Sequence, residues 1–245
     1  MLLESDLIPY SVSPPAGNRS IVLAPHPDDE TLGCGGTIRL LMESKKQVKV
    51  VFLTSGDKAD PSHQASKIIH HETHVTNYSL MREKEAVGAL KVLGTPDYEF
   101  LRFPDRELNS HYNSVLDRLS EVTKIYAPDT IYSPSMIELN PDHRTTAALA
   151  MEIQRINKGR IMFYEITTPL RPNTLVEVTS IFGIKKRAIK KYKSQLKLMD
   201  YLRHITALNT MRALSVQNAR YVEAFWRVDE PLSGEGVRKW LCYLI

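Results

Sequence analysis

Short apolar runs dense in β-branched residues recur along this chain, and most are followed by a stretch with helical periodicity. This alternation constrains the fold more than any other feature, because strand, crossover helix and parallel strand form one packing unit. The strand-like runs are 21–24, 48–53, 98–103, 130–133 and 160–166, with a further one at 175–178. Helical spacing is expected over 37–44, 80–93, 116–125 and 145–156, and 183–215 reads as mainly helical. Gly94 and Pro96 end one helix and Pro128 helps stop the next. The pattern predicts an α/β fold with a largely parallel sheet. Such sheets bind ligands outside the carboxyl ends of their strands. The polar segments beginning at Pro25, Ser55, Pro104 and Pro134 all follow strands, so chemistry is expected there.

The 245 residues suit one domain over 20–245, preceded by a Pro- and Ser-rich arm at 1–19, with a mainly helical part from about 183. No apolar run approaches the roughly 20 residues of a transmembrane helix. Glu4 and Asp6 make the first residues a poor secretory signal, and Cys34 and Cys242 do not suggest a disulfide framework. A soluble cytoplasmic protein is the expectation. The net charge of +4 is concentrated between Lys185 and Arg203, where Lys186, Arg187, Lys190, Lys191, Lys193 and Lys197 face a single acid, Asp200. Such a stretch could meet phosphates or an anionic membrane. Ile189, Leu196, Met199 and Leu202 are interleaved at roughly helical spacing, which favours a solvated helix face over peripheral membrane contact. Tyr192 and Tyr201 are its only aromatics, short of the stacking row of single-strand binders, so no nucleic-acid partner is expected.

After the first strand the chain reads Ala24-Pro25-His26-Pro27-Asp28-Asp29-Glu30. His26 and Asp29 can face one ion across a tight turn that Pro27 stiffens, and an imidazole nitrogen with a carboxylate oxygen suits Zn²⁺. A catalytic zinc takes three protein ligands and keeps one position open. His143, in Asn140-Pro141-Asp142-His143, is the best candidate for the third, because strands one and four are neighbours at the switch point of a doubly wound sheet. Asp28 is then left beside the metal, where a carboxylate can take a proton from water and return it to a leaving amine. The competing reading is a turn of helix-capping aspartates.

Followed by Leu32-Gly33-Cys34-Gly35-Gly36, this segment resembles the signature of the PIG-L/LmbE-like N-acetylglucosaminyl de-N-acetylases. Arg82 and Glu85, Phe103-Pro104-Asp105, Pro141-Asp142-His143, Ser194-Gln195 and Glu223-Ala224-Phe225 follow in order, so the resemblance spans most of 21–226. It implies a Rossmann-like fold with helices on both sheet faces, and zinc held by His26, Asp29 and His143. It also implies Asp28 as general base and acid, and Arg82 and Asp105 as substrate contacts. Gly33 to Gly36 would let the chain turn tightly beneath the site. The implied reaction releases acetate and an amino sugar from an N-acetylglucosamine-type conjugate, and homo-oligomers are possible. One position departs from the pattern. The family usually has histidine at Asn140, stabilising the oxyanion while the residue equivalent to Asp142 orients it. Asn140 can donate an amide hydrogen bond but has no titratable proton, and Asp142 loses that partner.

Two alternatives share this motif set: a carbohydrate-binding protein with impaired catalysis, which the retained Asp28 argues against, and a zinc amidohydrolase acting on a non-sugar acyl amide. His70, His71, Glu72 and His74 fall one residue short of His-Glu-x-x-His and are read as part of a polar loop over 57–77. Cys34 is read as small buried filler, Glu30 as a helix cap or a support for a ligand, and Lys58 and Arg106 as cleft residues.

Overall fold

The apolar runs form strands because both of their faces are covered. The computed structural model describes residues 10–60 and 76–231. Eight strands build one open sheet: β1 (Ser11–Val12), β2 (Arg19–Ala24), β3 (Gln47–Thr54), β4 (Asp97–Phe103), β5 (Thr130–Pro134), β6 (Arg160–Tyr164), β7 (Thr174–Glu177) and β8 (Val222–Val228). Their order is β1-β7-β8-β6-β5-β2-β3-β4, and every pairing is parallel except those of β8 with β6 and β7. Among the described residues there are seven helices: α1 (Asp29–Glu43), α2 (Asn77–Leu93), α3 (Tyr112–Tyr126), α4 (Pro141–Asn157), α5 (Phe182–Ile189), α6 (Lys193–Leu196) and α7 (Tyr201–Arg212).

Alternate residues of β2 divide the core. Val22 and Ala24 join a cluster with Ile38 of α1, Leu90 of α2, Ala188 of α5 and Ile205 of α7. Ile21 and Leu23 pack on the other face with Leu119 of α3 and Ala150 of α4. β2 and β5 are hydrogen-bonded neighbours, yet the chain leaves β2 into α1 on one face and β5 into α4 on the other. This is the Rossmann-like arrangement, with its switch point between β2 and β5.

Several boundaries differ from expectation for identifiable reasons. The helix expected over 37–44 already begins at Asp29, with a break at Cys34 (φ −135°, ψ 26°). The glycines serve close packing rather than turning. A Cβ on Gly33 would lie 2.2 Å from the Tyr164 ring, and one on Gly36 would lie 2.8 Å from Val178. The Glu223 carboxylate accepts from Gly36 N and Thr37 N, both at 2.8 Å, and so caps the second half of α1 from a distant strand. Neither β8 nor β1 was legible as a strand. Ser11–Val12, in the segment read as an arm, pairs with β7. Lys185, read as part of a solvated face, is fully buried and donates to Glu223 at 2.6 Å and Asn209 at 3.1 Å. His70, His71, Glu72 and His74 lie outside the described residues. Cys34 is buried, as expected of a filler. No described helix is long and apolar enough to cross a membrane.

Gly33→Ala is expected to lower stability by about 1–3 kcal/mol through overpacking against Tyr164. Gly183→Ala in α5, where an added Cβ meets nothing within 4 Å, should be neutral or stabilising by about 0.5–1 kcal/mol. Urea unfolding of the two variants checks the contrast, and equal midpoints would contradict it.

Candidate metal and active site

Three turns at the carboxyl edge of the sheet converge. The first, after β2, is stiffened by Pro27 and places Asp28 at the N-cap of α1 with φ 148° and ψ −27°. That backbone is uncommon for a residue with a Cβ, costs about 1–3 kcal/mol and persists only where its surroundings impose it. Here they do. Thr31 N and Leu32 N donate to Asp28 O, while Arg82 of α2 donates to Pro27 O at 2.7 Å and Gly56 O at 2.8 Å. The same guanidinium lies 3.2 Å from the Asp28 carboxylate.

The second turn precedes α4. Pro141 begins that helix and the Asn140 side-chain oxygen caps it, accepting from Asp142 N at 2.8 Å. His143 therefore sits in the first helical turn and faces β2. His26 Nδ1 is 3.1 Å from Asp29 Oδ2, and His143 Nε2 is 3.3 Å from both. Donor atoms about 2.0–2.1 Å from a tetrahedral Zn²⁺ are separated by about 3.3 Å, so these three fit one such ion.

The other face of His26 is braced. Its Nε2 lies 3.2 Å from Asp105 Oδ1 and 3.3 Å from Asp142 Oδ2. Asp142 in turn accepts from Arg106 N at 2.7 Å and Leu108 N at 3.2 Å. Asp142 thus keeps a full set of partners: it holds His26 rather than residue 140. Asp105 also accepts from Lys58 N at 3.1 Å. A neutral imidazole has one proton and one lone pair. Donation from Nε2 to these carboxylates leaves the Nδ1 lone pair toward Asp29 and His143. The neighbouring group of His26, Asp105 and Asp142 therefore does not need a second ion.

The electrostatics follow from acid density. Burial opposes charge on His26, but hydrogen bonds to Asp105, Asp142 and Asp29 outweigh it and raise its pKa. His143 is likewise raised to about 9, burial being overcome by Asp29 and Glu138. Burial would raise Asp29, yet His143 and His26 hold it well below the usual carboxylate range. Asp28 is pushed up to about 7 by burial, with Arg82 opposing. Glu30 also rises to about 7 through burial. It neither caps α1 nor touches a ligand: its carboxylate accepts from Thr31 and Tyr192 hydroxyls.

His26, Asp28, Asp29, Arg82, Asp105 and His143 line a cleft of about 200 Å³ that also includes Asn140, Arg106, Thr167, Gln195 and Tyr201. The PIG-L family model, described as GlcNAc-PI de-N-acetylase, matches residues 21–154. The chain belongs to the PIG-L family. It is 26% identical over 193 residues to diacetylchitobiose deacetylase of Thermococcus kodakarensis, covering 71% of this chain and 69% of the relative. It is 25% identical over 242 residues to 4-oxalmesaconate hydratase of Pseudomonas putida, covering 87% and 92%. Among solved structures, N,N'-diacetylchitobiose deacetylase of Pyrococcus horikoshii superimposes with a TM-score of 0.74 at 24% identity, covering 96% of this chain and 91% of that one. Among PIG-L relatives the deacetylases support deacetylation as the activity.

Sequence reasoning had no means of finding two members of this PIG-L site. Glu138, in the β5–α4 loop, lies 3.8 Å from His143 Nδ1 and accepts from Ile166 N at 2.7 Å. Tyr201, at the start of α7, has its phenol pushed to about 12 by burial and by Asp28 and Asp29. No local spacing marks either residue. Asp142→Asn should weaken binding of a divalent ion about 10–100-fold, because it loosens the brace on His26. Titration against a chromophoric chelator measures this, and unchanged affinity would mean that Asp142 does not support the site.

Proposed function

We propose that this chain is a zinc-dependent deacetylase that hydrolyses the N-acetyl group of an N-acetylglucosamine-type conjugate, giving acetate and an amino sugar. The observation that carries the reading is a buried carboxylate, Asp28, standing beside but outside a three-donor cluster of His26, Asp29 and His143 within one cleft. Two imidazoles and one carboxylate are a donor set suited to Zn²⁺. When bound, the ion supplies Lewis acidity toward water and the amide carbonyl.

Asp28 accepts the proton of the attacking water and returns it to the departing nitrogen, so the amide C–N bond breaks without releasing a free amide anion. Arg82 holds Asp28 in place through the contacts described above. Asp105 and Asp142 keep the His26 ring in register. Asn140 spends its side-chain oxygen on the helix cap, which leaves its NH₂ as a donor toward the developing oxyanion; the Tyr201 hydroxyl lines the same cleft. Water addition by a hydratase is the second reading, raised by the Pseudomonas putida relative. That relative is named for an organic acid anion, and such a substrate needs free cations. Arg82 is committed to Asp28 and two carbonyls, so Arg106 is the cleft cation open to such an anion, and an organic acid tested beside the sugar conjugates separates the two readings.

An acetate-release assay against a panel of N-acetylglucosamine conjugates, with zinc added, tests the proposal; no acetate from any conjugate would overturn it. Zinc-loaded Asp28→Asn should lose about 10²–10⁴ in kcat, and near wild-type turnover would remove Asp28 from the role of base. Asn140→Asp keeps the cap but replaces the NH₂ donor, so kcat should fall by about 10²–10³ with stability unchanged. Unaltered kcat in that variant would place the amide outside the reaction.

A further inference from the structure

The basic stretch at 185–203 has no part in the chemistry above, and its fold does not match a simple solvated helix face. Lys185 is buried against Glu223. Ile189 is buried, and Leu196 and Leu202 are half-buried against the core. Leu198 and Met199 behave differently: they are 46% and 57% exposed, at the turn between α6 and α7. Around that turn Lys190, Lys191, Lys193, Lys197 and Arg203 are exposed, and none makes an ion pair among the described residues. The single acid, Asp200, spends its carboxylate on Arg203 N as the cap of α7. Gln195 and Tyr201, from the same segment, line the cleft. Unpaired exposed cations thus flank two exposed apolar side chains along a segment that also lines the candidate active site.

We propose that this surface, centred on Leu198 and Met199, docks the protein on an anionic lipid bilayer with the cleft opening toward the interface. Basic side chains are attracted to an anionic leaflet, and apolar side chains between them insert at the headgroup level. A second copy of the chain is a poorer occupant. A two-fold interface through this turn would oppose the five cations to the same five. Nucleic acid is also poorer, because the apolar members are aliphatic and offer no stacking face to a base. The inference concerns docking alone and holds whether or not the deacetylase reading does.

The test is co-sedimentation of the full chain with vesicles of phosphatidylcholine alone and of phosphatidylcholine mixed equally with phosphatidylserine. Binding is expected only to the anionic vesicles and should weaken with salt. Each lysine neutralised should cost about fivefold, so Lys193→Gln with Lys197→Gln should lose roughly 25-fold. Leu198→Ser with Met199→Ser should weaken vesicle binding while leaving the circular dichroism spectrum unchanged. Absence of binding to anionic vesicles would overturn the proposal. So would vesicle binding indifferent to the two serines, or equally tight binding to a single-stranded oligonucleotide, since either marks a general polyanion surface.

Discussion

Ser20, Ile21 and Val22 of β2 pair in register with Thr130, Ile131 and Tyr132 of β5, and the site depends on that short ladder. Both strands run the same way, so both end at one edge of the sheet. Their chains then diverge to opposite faces, and the space between the diverging turns becomes the cleft. His26 and Asp29 come from one turn and His143 from the other. The turn after β4 closes the third side, contributing Asp105 and the backbone amides that hold Asp142. A one-residue slip between β2 and β5 would invert every side chain of one strand and separate the donors.

The second constraint is charge. Asp28, Asp29, Asp105, Asp142 and Glu138 are all buried around two imidazoles and one arginine. Arg82 offsets Asp28, and backbone amides satisfy much of Asp142 and Glu138. Asp29 and the two histidines are left as a compact donor set that could hold a divalent cation. The surrounding core keeps this arrangement stiff with two further buried ion pairs. Lys185 and Glu223 tie α5 and β8 to the break in α1, and Arg212 grips Glu165 beyond β6, anchoring the helix that begins with Tyr201. Such pairs add little net stability, but losing one partner leaves a buried charge.

The sequence by itself determined the alternation of strands and helices, and with it the parallel sheet and the edge where the chemistry lies. Those follow from local periodicity, which neighbouring residues express without reference to the rest of the chain. It also determined the grouping of His26, Asp28 and Asp29, since four residues around a proline have few ways to turn. The third donor, His143, could be named because the switch point of a doubly wound sheet places β2 beside β5. Tertiary structure decided what depends on distant partners. Gly33, Gly35 and Gly36 look like a turn until Glu223, 187 residues beyond Gly36, caps the helix they occupy. Asp142 has no histidine partner at position 140, and folding brings His26 to it instead. Glu138 and Tyr201 carry no spacing signal at all. Lys185 and Lys193 are the same residue type in the same basic run, yet one is sealed against a carboxylate and the other meets solvent. Helical spacing likewise groups Met199 with Leu196 and Leu202, and only the turn between α6 and α7 leaves it outside. In each case the deciding quantity is which polar or apolar group a side chain meets across the fold, and that is set by long-range packing rather than by the residues beside it.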